Sequence, residues 1–338
     1  MIRTIAVLGA GAWGTALAAH LARRDGVRVT LWARDVAQSS AIRTARVNAK
    51  YLPGVTLPSA LAVTSDLGTA VNAALLVAAT PMAALPGLAD AAAAAGARAP
   101  LVWLSKGFVA VPASAALPAG VALAHQVLAP RWGAPVGVVS GPSFAEEVAH
   151  GLPTAVTVAA TAPSLAAEVA ALLRADTLRA YETDDIVGVE VGGAVKNVLA
   201  IAAGTSDGLG FGHNARAALI TRGLAETGRL SAALGGERET LMGLAGLGDL
   251  VLTCTGDLSR NRQVGLALAK GRPLPEILAA IGHVAEGVNA ATAVHALARH
   301  HRVDMPISGA VYGVLHEGLP PRLAVEALLQ REPRPERQ

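Results

Sequence analysis

A glycine-rich turn close to the start of the chain is the feature that most constrains its fold. An apolar strand pattern at Ile5–Leu8 leads into Gly9-Ala-Gly-Ala-Trp-Gly14, and a helical pattern follows from Trp13 to Arg24. The helix is predicted to end at Asp25-Gly26, and Arg28–Trp32 has the pattern of a second strand. A strand, a glycine-rich turn, a helix and a second strand within about 30 residues predict a βαβ unit.

The three glycines of this turn have the spacing of a dinucleotide-binding fingerprint. Gly9 permits the tight turn, Gly11 lets the backbone approach a pyrophosphate, and Gly14 lets the helix pack closely on the strand. The helix N-terminus adds N–H donors and the positive end of a dipole. The alternative is a turn without a ligand, in a chain that contains 36 glycines. The position between a strand and a helix favours the dinucleotide site.

More apolar runs followed by breaks predict a buried parallel sheet in the first half of the chain. The predicted strands are Ala74–Ala79, Pro100–Ser105, Val136–Ser140, Thr154–Ala159 and Leu178–Glu182, with helices at Met82–Ala95 and Ser164–Leu173. Ser143-Phe-Ala-Glu146 has the pattern of a capping box at the start of another helix. The pattern indicates a doubly wound α/β fold. Ligands should then bind at the strand ends that carry Gly9–Gly14, Thr80-Pro81, Lys106 and Gly141–Ser143.

After residue 183 strand patterns give way to helical ones. Asp184 or Asp185 is predicted to cap a long helix that reaches Gly204, and Asn214 to cap another that runs to Leu234. Five shorter helices are predicted at Arg260–Lys270, Leu274–Ile281, Gly287–His301, Ile307–His316 and Arg322–Gln330. The predicted organisation is a dinucleotide-binding Rossmann domain at 1–183, an all-α domain at 184–330 and a flexible tail at 331–338.

Composition excludes several classes of protein. Hydrophobic residues make up 52% of the chain and charged residues 16%, which is too apolar for a disordered chain. Polar residues or prolines interrupt the two most apolar segments, Ala73–Ala97 and Val187–Ala203, so a membrane protein is not expected. A net charge of +3 and 3% aromatic residues do not favour a nucleic-acid interface. With Cys254 as its single cysteine and no signal-peptide pattern, the chain is expected in the cytoplasm.

Lysine is rare in this sequence, which makes each lysine informative. Lysine and arginine together number 28, and the lysines are Lys50, Lys106, Lys196 and Lys270. Lys196 follows Gly192-Gly193 in an apolar helical pattern. A partly desolvated lysine has a lowered pKa and can act as acid or base, which arginine cannot. The alternative is a lysine that extends along a helix edge to solvent, but the scarcity of lysine and the adjacent Asn197 favour a functional role.

A second cluster of polar residues lies at Ser259-Arg260-Asn261, where a helix is predicted to begin. Backbone N–H groups, a hydroxyl, an amide and a guanidinium would converge there as an anion site. The alternative is plain helix capping by Ser259 with Arg260 in solvent, and the spacing does not separate the two. Cys254 is expected to be a small buried residue. The nine histidines lack metal-binding spacing, so no metal is expected.

With these residues in view, the chain resembles the NAD(P)-dependent glycerol-3-phosphate dehydrogenases of the bacterial, soluble type, over nearly all of residues 2–330. The motifs that carry the resemblance are GAGAWGTALA at Gly9–Ala18, NAKYLPG at Asn48–Gly54, SKG at Ser105–Gly107, SGPSFAEEVA at Ser140–Ala149, VEVGGAVKNVLAIAAG at Val189–Gly204, DGLGFGHNARAALITRGLAE at Asp207–Glu226 and SRNR at Ser259–Arg262. The resemblance implies reduction of dihydroxyacetone phosphate to sn-glycerol 3-phosphate, the backbone of glycerophospholipids.

The resemblance also implies roles for particular residues. Lys196 would be the catalytic acid–base residue. The substrate site would comprise Lys106, Gly141, Ser143, Lys196, Asn197, Asp249, Ser259, Arg260 and Asn261. The dinucleotide would contact Ala12, Trp13, Arg34, Lys106, Ala145, Arg260, Val284 and Glu286, besides Gly9, Gly11 and Gly14. Met82 stands where many relatives have a small polar residue, which affects only the detail of the nicotinamide-side loop.

In chemical terms, hydride attack on a ketone builds charge on its oxygen, which Lys196 can protonate while Lys106 and Asn197 orient or polarise it. Asp249 is expected to pair with Lys196. The second predicted strand ends without an acidic residue to bind a ribose 2′-hydroxyl, Arg34 follows, and Asp35 comes too late. NADPH is therefore expected to be preferred, with NADH accepted.

Two alternatives remain from the residues alone. Other two-domain reductases, such as 3-hydroxyacid dehydrogenases or ketopantoate reductase, share this architecture but need an anion site for a carboxylate. A dinucleotide-sensing module without turnover would leave Lys106 and Lys196 unexplained. The expected partner is a small phosphorylated substrate, without nucleic acid or membrane insertion. The sequence does not determine the oligomeric state, and a homodimer is one option.

Overall fold

The first half of the chain forms a mixed β-sheet covered by helices on both faces. The computed structural model describes residues 3–114, 117, 119–175, 177–282 and 285–332. Its strands are β1 Thr4–Leu8, β2 Arg28–Trp32, β3 Ala62–Thr64, β4 Leu75–Ala78, β5 Leu101–Trp103, β6 Val109–Ala110, β7 Val121–Ala122, β8 Val136–Ser140, β9 Thr154–Ala160 and β10 Leu178–Thr183. Strands β6 and β7 form a separate antiparallel pair.

Strand order explains where a ligand can bind. The sheet runs β10-β9-β8-β5-β4-β1-β2-β3, and every neighbouring pair from β8 to β3 is parallel. Six strands in this order are typical of a dinucleotide-binding sheet, whose order reverses between β1 and β4. Strand β9 is antiparallel to β8, and β10 is parallel to β9. The strands predicted as parallel, β4, β5 and β8, are parallel to one another, whereas the antiparallel direction of β9 was not predicted.

Side chains on alternating positions of the strands fill two cores. Ile5 and Val7 of β1 pack into one hydrophobic cluster, whereas Ala6 and Leu8 pack into the other. A strand buried on both faces reads as a continuous apolar run, which is why β1 was recognisable in the sequence. The helices associated with this half are α1 Ala12–Leu21, α2 Val36–Ala45, α3 Leu67–Ala70, α4 Leu85–Ala94, α5 Ala124–Trp132, α6 Ala145–Ala149 and α7 Pro163–Leu173.

In its described residues the second half contains helices and their connections, and no strand. Its helices are α8 Ile186–Gly208, α9 Gly212–Ala233, α10 Asp249–Thr255, α11 Arg260–Ala269, α12 Leu274–Ile281, α13 Glu286–His301, α14 Pro306–His316 and α15 Pro321–Leu329. A π-helical turn at Leu244–Gly248 precedes α10. The predicted tail at 331–338 falls mostly on residues 333–338, which lie outside the described residues.

Helix α8 is the central helix of this half. Asp185 caps it by accepting a hydrogen bond from the backbone N–H of Gly188 at 2.7 Å, as predicted, but the helix extends to Gly208 rather than ending at Gly204. By length and composition α8 could cross a membrane, yet 89% of its most apolar window is buried inside the fold. It is therefore a core helix.

Two predicted helix caps are wrong. Ser143 does not cap α6, because its hydroxyl donates to the carbonyl oxygen of Gly141 at 3.0 Å and the helix begins only at Ala145. Asn214 lies inside α9, which already begins at Gly212. Gly212 has φ +80°, a conformation that favours glycine, and α9 begins at this residue.

Candidate active site

The glycine-rich turn after β1 has the geometry that its sequence predicts. Gly9 has φ +129°, and a Cβ there would lie 2.5 Å from the carbonyl oxygen of Ala79 in the loop after β4. A Cβ on Gly14 would lie 2.1 Å from the carbonyl oxygen of Gly9, whereas Gly11 faces open space. The first N–H groups of α1, which begins at Ala12, have no acceptor within the helix. An open cradle in front of unpaired N–H groups fits a pyrophosphate.

A buried asparagine, Asn48, whose role was not predicted from the sequence, holds this turn in place. The Nδ2 atom of Asn48 donates to the carbonyl oxygen of Ala10 at 2.9 Å and to the hydroxyl of Thr15 at 2.8 Å. Gln38 on α2 donates to the same carbonyl oxygen at 2.8 Å. One amide thus bridges the turn and the first turn of α1. Its only signal in the sequence is its place in the NAKYLPG motif.

The end of β2 carries a cation and an acid with different surroundings. Asp35 accepts hydrogen bonds from the backbone N–H groups of Ala37 and Gln38, at 2.8 and 3.2 Å, and so caps α2. The carboxylate of Asp35 is hydrogen-bonded to the N-terminus of α2. Arg34 is exposed at the carboxyl end of β2, the strand that pairs with β1.

A buried group of charges lies where the sheet meets α8. Lys196 on α8 donates to the Oδ1 atom of Asp249 and, at 2.9 Å, to the hydroxyl of Thr253 one turn further along α10. Lys106, in the loop after β5, contacts the Oδ2 atom of Asp249 at 2.5 Å and the carbonyl oxygen of Gly141 at 3.0 Å. The expected pairing of Asp249 with Lys196 is confirmed, and Lys106 joins the same carboxylate.

Electrostatics tune the amine of Lys196. Burial lowers its pKa to about 8, and the positive charge of Lys106 also lowers it, while the carboxylate of Asp249 acts in the opposite direction. The carboxyl of Asp249 has a pKa below its ordinary value despite its burial, because Lys106 and Lys196 both stabilise its charge. An amine with a pKa near neutrality can both donate and accept a proton.

The two adjacent glycines of α8 allow this arrangement. A Cβ on Gly193 would lie 3.0 Å from the hydroxyl oxygen of Ser140 and 3.4 Å from Cγ of Lys106. A Cβ on Gly192 would lie 2.6 Å from the carbonyl oxygen of Ala245. The sequence predicted a close approach at these glycines. The approaching groups are the stem of Lys106 and the π-helical turn that leads into Asp249.

Asn197 and Asn261 form a buried pair next to this group. The Nδ2 atom of Asn261 donates to Oδ1 of Asn197 at 2.9 Å, and Oδ1 of Asn261 accepts from the backbone N–H of Gly287 at 3.0 Å. Both asparagines are less than 10% exposed. Helices α8, α11 and α13 therefore meet at one amide.

The start of α11 retains both features that the sequence left open. The hydroxyl of Ser259 caps the helix by accepting from the backbone N–H of Arg262 at 3.3 Å, and Arg260 is exposed. The guanidinium of Arg262 is bound to Asp207 at 2.8 Å. Arg260 is close enough to Glu286 to influence its pKa, which burial raises. Capping and an available cation thus coexist at this helix N-terminus.

Glu286, at the start of α13, connects the helical half to the loop after β4. Its Oε1 atom accepts a hydrogen bond from the backbone N–H of Met82 at 3.3 Å. Met82 is buried, and a Cβ on Gly107 would lie 3.3 Å from Cβ of Met82. Val284 lies outside the described residues. Ala145 begins α6, which packs against α1.

Contacts thus join several of the predicted site residues. Lys106, Gly141, Ser143, Lys196 and Asp249 are connected by hydrogen bonds, as are Asn197 and Asn261. Thr253 was missed, although its spacing of four residues from Asp249 places both on one face of α10. Among the described residues, no three His, Cys, Asp or Glu side chains are grouped so that they could hold a metal ion.

The glycine-rich cradle lies where the strand order reverses, and the buried amine of Lys196 lies near the carboxyl ends of the strands. Together they define a dehydrogenase of the dinucleotide-binding class with a helical second half. Family models of the NAD-dependent glycerol-3-phosphate dehydrogenases match residues 4–166 with the N-terminal part and 185–326 with the C-terminal part. The chain belongs to this family.

Individual relatives agree with this assignment. The chain is 55% identical over 335 residues to a glycerol-3-phosphate dehydrogenase [NAD(P)+] of Thiobacillus denitrificans, covering 98% of this chain and 99% of the relative. It is 54% identical to the enzyme of Aromatoleum aromaticum, covering 98% and 99% of the two chains. The crystal structure of the Coxiella burnetii enzyme has a TM-score of 0.89 at 43% identity, covering 98% and 99%.

A ketopantoate reductase of Ralstonia eutropha, at 17% identity and a TM-score of 0.55, shares the fold alone; the alignment covers 97% of this chain and 100% of that one.

Proposed function

We propose that this protein reduces dihydroxyacetone phosphate to sn-glycerol 3-phosphate with NAD(P)H, and that the reaction is reversible. The observation that carries the proposal is the buried amine of Lys196, whose pKa is lowered to about 8 beside the carboxyl ends of the cofactor-binding strands. Reduction of a ketone requires a proton donor at that place, and its reversal requires a proton acceptor. The product is the backbone of glycerophospholipids, so the enzyme supplies lipid synthesis.

Lys196 is assigned the role of acid–base residue. In the charged form its amine donates a proton to the developing alkoxide, and in the neutral form it removes the proton from the alcohol. Asp249 and Thr253 hold the amine in position through the hydrogen bonds described above. Lys106 and Asn197 polarise the substrate carbonyl, since donors that face a developing negative charge stabilise the transition state.

The substrate phosphate is assigned to the start of α11. The N–H groups of that helix end, the hydroxyl of Ser259 and the guanidinium of Arg260 can bind a dianion together. Asn261, Gly141 and Ser143 line the same site. A carboxylate substrate of a keto acid reductase would offer a smaller anion with less charge to these donors.

The dinucleotide is assigned to the cradle formed by Gly9, Gly11, Ala12, Trp13 and Gly14. Further contacts with the dinucleotide are assigned to Lys106, Ala145, Arg260, Val284 and Glu286. When bound, the reduced nicotinamide supplies the hydride. Arg34 can bind a ribose 2′-phosphate, while Asp35 is engaged at the N-terminus of α2. A preference for NADPH over NADH follows.

The organisation of the chain follows from these roles. Residues 1–183 are proposed as the cofactor-binding domain and 184–330 as the substrate domain, with 331–338 as a tail. We place the enzyme in the cytoplasm, where a reduced Cys254 and a soluble phosphorylated substrate are expected. A homodimer is proposed as its oligomeric state.

One spectrophotometric experiment tests the proposed function. The purified protein is mixed with NADPH or NADH and with dihydroxyacetone phosphate or a panel of keto acids, and oxidation of the cofactor is followed. Rapid oxidation with dihydroxyacetone phosphate alone supports the proposal. Turnover of ketopantoate or another keto acid instead would indicate a different reductase, and cofactor binding without turnover would indicate a sensing module.

A further inference from the structure

A buried carboxyl group on α8, that of Glu190, is bonded to the start of α5, outside the site described above. Its Oε1 atom accepts from the backbone N–H of His125 at 3.2 Å, and its Oε2 atom contacts Nδ1 of the same residue. The side chains of Glu190 and His125 are 2% and 18% exposed. A buried acidic group is costly unless it is paired. This pair links the central helix of the second half to a helix of the first half.

The antiparallel strands β6 and β7 bring the partner of Glu190 close to Lys106. Val109 of β6 is paired with Ala122 of β7. Lys106 precedes Val109 by three residues and His125 follows Ala122 by three residues, so they stand at the two ends of this strand pair. Paired strands lie about 4.8 Å apart. The position of one end therefore restricts the position of the other.

Both ends of the β6–β7 pair lie on one face of α8. Residues three apart in a helix are neighbours on its surface, so Glu190 and Gly193 share a face. A Cβ on Gly193 would lie 3.4 Å from Cγ of Lys106, and Glu190 bonds to His125 one turn earlier. Two successive turns of α8 thus hold the two ends of the strand pair.

We propose that Glu190 is a positioning residue, which anchors the β6–β7 pair on α8 and thereby keeps the amine of Lys106 on Asp249. The inference rests on the proposed function, because its test follows the reduction of dihydroxyacetone phosphate. Without the anchor, Lys106 is free to leave Asp249. The positive charge of Lys106 lowers the pKa of Lys196. Its departure should therefore raise that pKa.

The amine of Lys196 is surrounded by titratable groups from two other elements. Lys106, in the loop after β5, lowers its pKa, whereas Asp249 on α10 raises it. Cys254, also on α10, stays protonated because burial raises its pKa to about 12. At the far end of α8 the charges of Asp207, Arg216 and Arg262 are paired with one another. Movement of Lys106 thus changes the balance of charges at Lys196.

The charge of Glu190 itself would act on Lys196 with the opposite sign. Burial raises the pKa of the Glu190 carboxyl, and the hydrogen bonds and charge interaction with His125 act against that rise. A negative charge on the same helix stabilises the charged amine of Lys196, so its removal would lower the pKa of that amine. Positioning and direct electrostatics therefore predict shifts in opposite directions when Glu190 is replaced.

Glu190→Met and Glu190→Gln separate these two effects. Methionine keeps an unbranched side chain but loses the bonds to His125. We expect kcat for reduction to fall by about tenfold or more, because Lys106 no longer polarises the substrate. The pH midpoint of kcat should rise by roughly 0.5–1 unit. Glutamine can accept from the backbone N–H of His125 and donate to Nδ1 of its neutral ring, so Glu190→Gln should keep the wild-type kcat and midpoint.

A double substitution shows whether the effect passes through Lys106. Lys106→Met alone should raise the midpoint, and the addition of Glu190→Met should raise it no further, since both changes remove the same charge from Lys196. A further rise in the double variant would contradict the inference. Glu182→Met, which breaks an exposed ion pair with Arg174, is the control and should leave kcat and its midpoint unchanged.

A second variant covers the case in which Glu190→Met does not fold. His125→Leu removes the other partner, whose side chain is closer to the surface, and leaves the backbone N–H to donate to Glu190. Its midpoint should also rise, by a smaller amount. An unchanged midpoint in folded His125→Leu would then reject the anchor.

Several results would overturn the inference and leave the proposed function intact. They are a wild-type midpoint in folded Glu190→Met, with or without a lower thermal midpoint, and a downward shift shared by Glu190→Met and Glu190→Gln. A higher KM for dihydroxyacetone phosphate in Glu190→Gln, at an unchanged midpoint, would instead indicate direct contact with the substrate. Inactivity of the wild type with dihydroxyacetone phosphate would refute the proposed function itself.

Discussion

Lys106 and Lys196 contact different carboxylate oxygens of the same residue, Asp249. One buried anion therefore lies between two amines that come from different halves of the chain. The positive charge of Lys106 makes it harder for Lys196 to hold a proton, and the carboxylate of Asp249 makes it easier. Burial is the main reason why the pKa of Lys196 falls from 10.5 to about 8, and Lys106 adds to that fall while Asp249 opposes it.

The first prediction concerns the identity of the cation at position 196. Lys196→Arg keeps a positive charge, but a guanidinium does not release its proton near neutral pH. Turnover should fall by roughly two to four orders of magnitude, the usual contribution of general acid–base catalysis. NADPH binding, measured by fluorescence titration, should change little. Lys270→Arg, at the exposed end of α11, is the control and should behave as wild type. Turnover of Lys196→Arg within about tenfold of wild type would mean that another group moves the proton.

The pH dependence of the reaction should report the Lys196 amine. The charged amine is needed for reduction, so the rate of reduction should fall as the pH rises through about 8, and the rate of oxidation should rise. Asp249→Asn removes the charge that raises this pKa, so both midpoints should move to lower pH. The measurement is kcat in each direction across the pH range. Asp257→Asn, at an exposed position bound to Arg262, is the control. Unmoved midpoints in Asp249→Asn would assign the titration to a different group.

Arg260 should contribute to binding of the phosphate. Arg260→Ala removes a charge-assisted hydrogen bond worth about 1.5–3 kcal/mol, which corresponds to a loss of efficiency of roughly tenfold to a hundredfold. The thermal midpoint should stay close to that of wild type, because the side chain is exposed. Arg272→Ala, beyond the other end of α11, is the matched control. If the catalytic efficiency (kcat/KM) of Arg260→Ala equals that of wild type, the phosphate is bound by Ser259 and the N-terminus of α11 without Arg260.

Cofactor preference should depend on Arg34. Arg34→Ala should reduce the efficiency with NADPH by about tenfold, the effect of one charge-assisted hydrogen bond, and leave NADH almost unaffected. The ratio of kcat/KM values for the two cofactors is the measurement. Arg43→Ala changes an exposed arginine on α2 and should leave the ratio unchanged. Equal or better efficiency of the wild type with NADH would refute the assignment.

Asn48 should affect cofactor affinity without touching the cofactor. Asn48→Leu has nearly the same size and removes the hydrogen bonds to Ala10 and Thr15, each worth about 0.5–1.5 kcal/mol. KM for NADPH should rise several-fold, because the cradle loses its support, while KM for dihydroxyacetone phosphate should change less. Asn72→Leu, at an exposed position, is the control. Unchanged KM for NADPH together with a lower thermal midpoint would limit Asn48 to a role in stability.

Local patterns predicted most of the elements of the fold. The bounds of β2, β8 and α12 match their predictions, because each is a short apolar or amphipathic run between breaks. The direction of β9 could not be predicted, since an apolar strand buried in a sheet looks the same whether it is parallel or antiparallel to its neighbour. Helices α2 and α5 were not predicted from the sequence.

Contacts within one helix of the site are encoded locally in the sequence, whereas contacts between distant segments depend on tertiary folding. Asp249 and Thr253 lie four residues apart on one helix, so their shared face is encoded locally. The contact between Lys106 and Asp249 joins residues separated by 143 positions and exists only through tertiary folding. The hydroxyl of Ser143 donates to the carbonyl oxygen of Gly141 and does not cap α6, a choice that the capping pattern in the sequence does not reveal.

Helix α8 leaves little freedom for the sequence to change. At Gly192, Gly193, Gly204 and Gly208, an added Cβ would lie 3.0 Å or less from a neighbouring atom. A population of variants selected for growth should therefore carry almost no substitutions at these four positions, even where Lys196 itself is untouched. New substrate ranges would have to evolve through the loops at the strand ends, because the helix that holds the acid–base residue has no room for larger side chains.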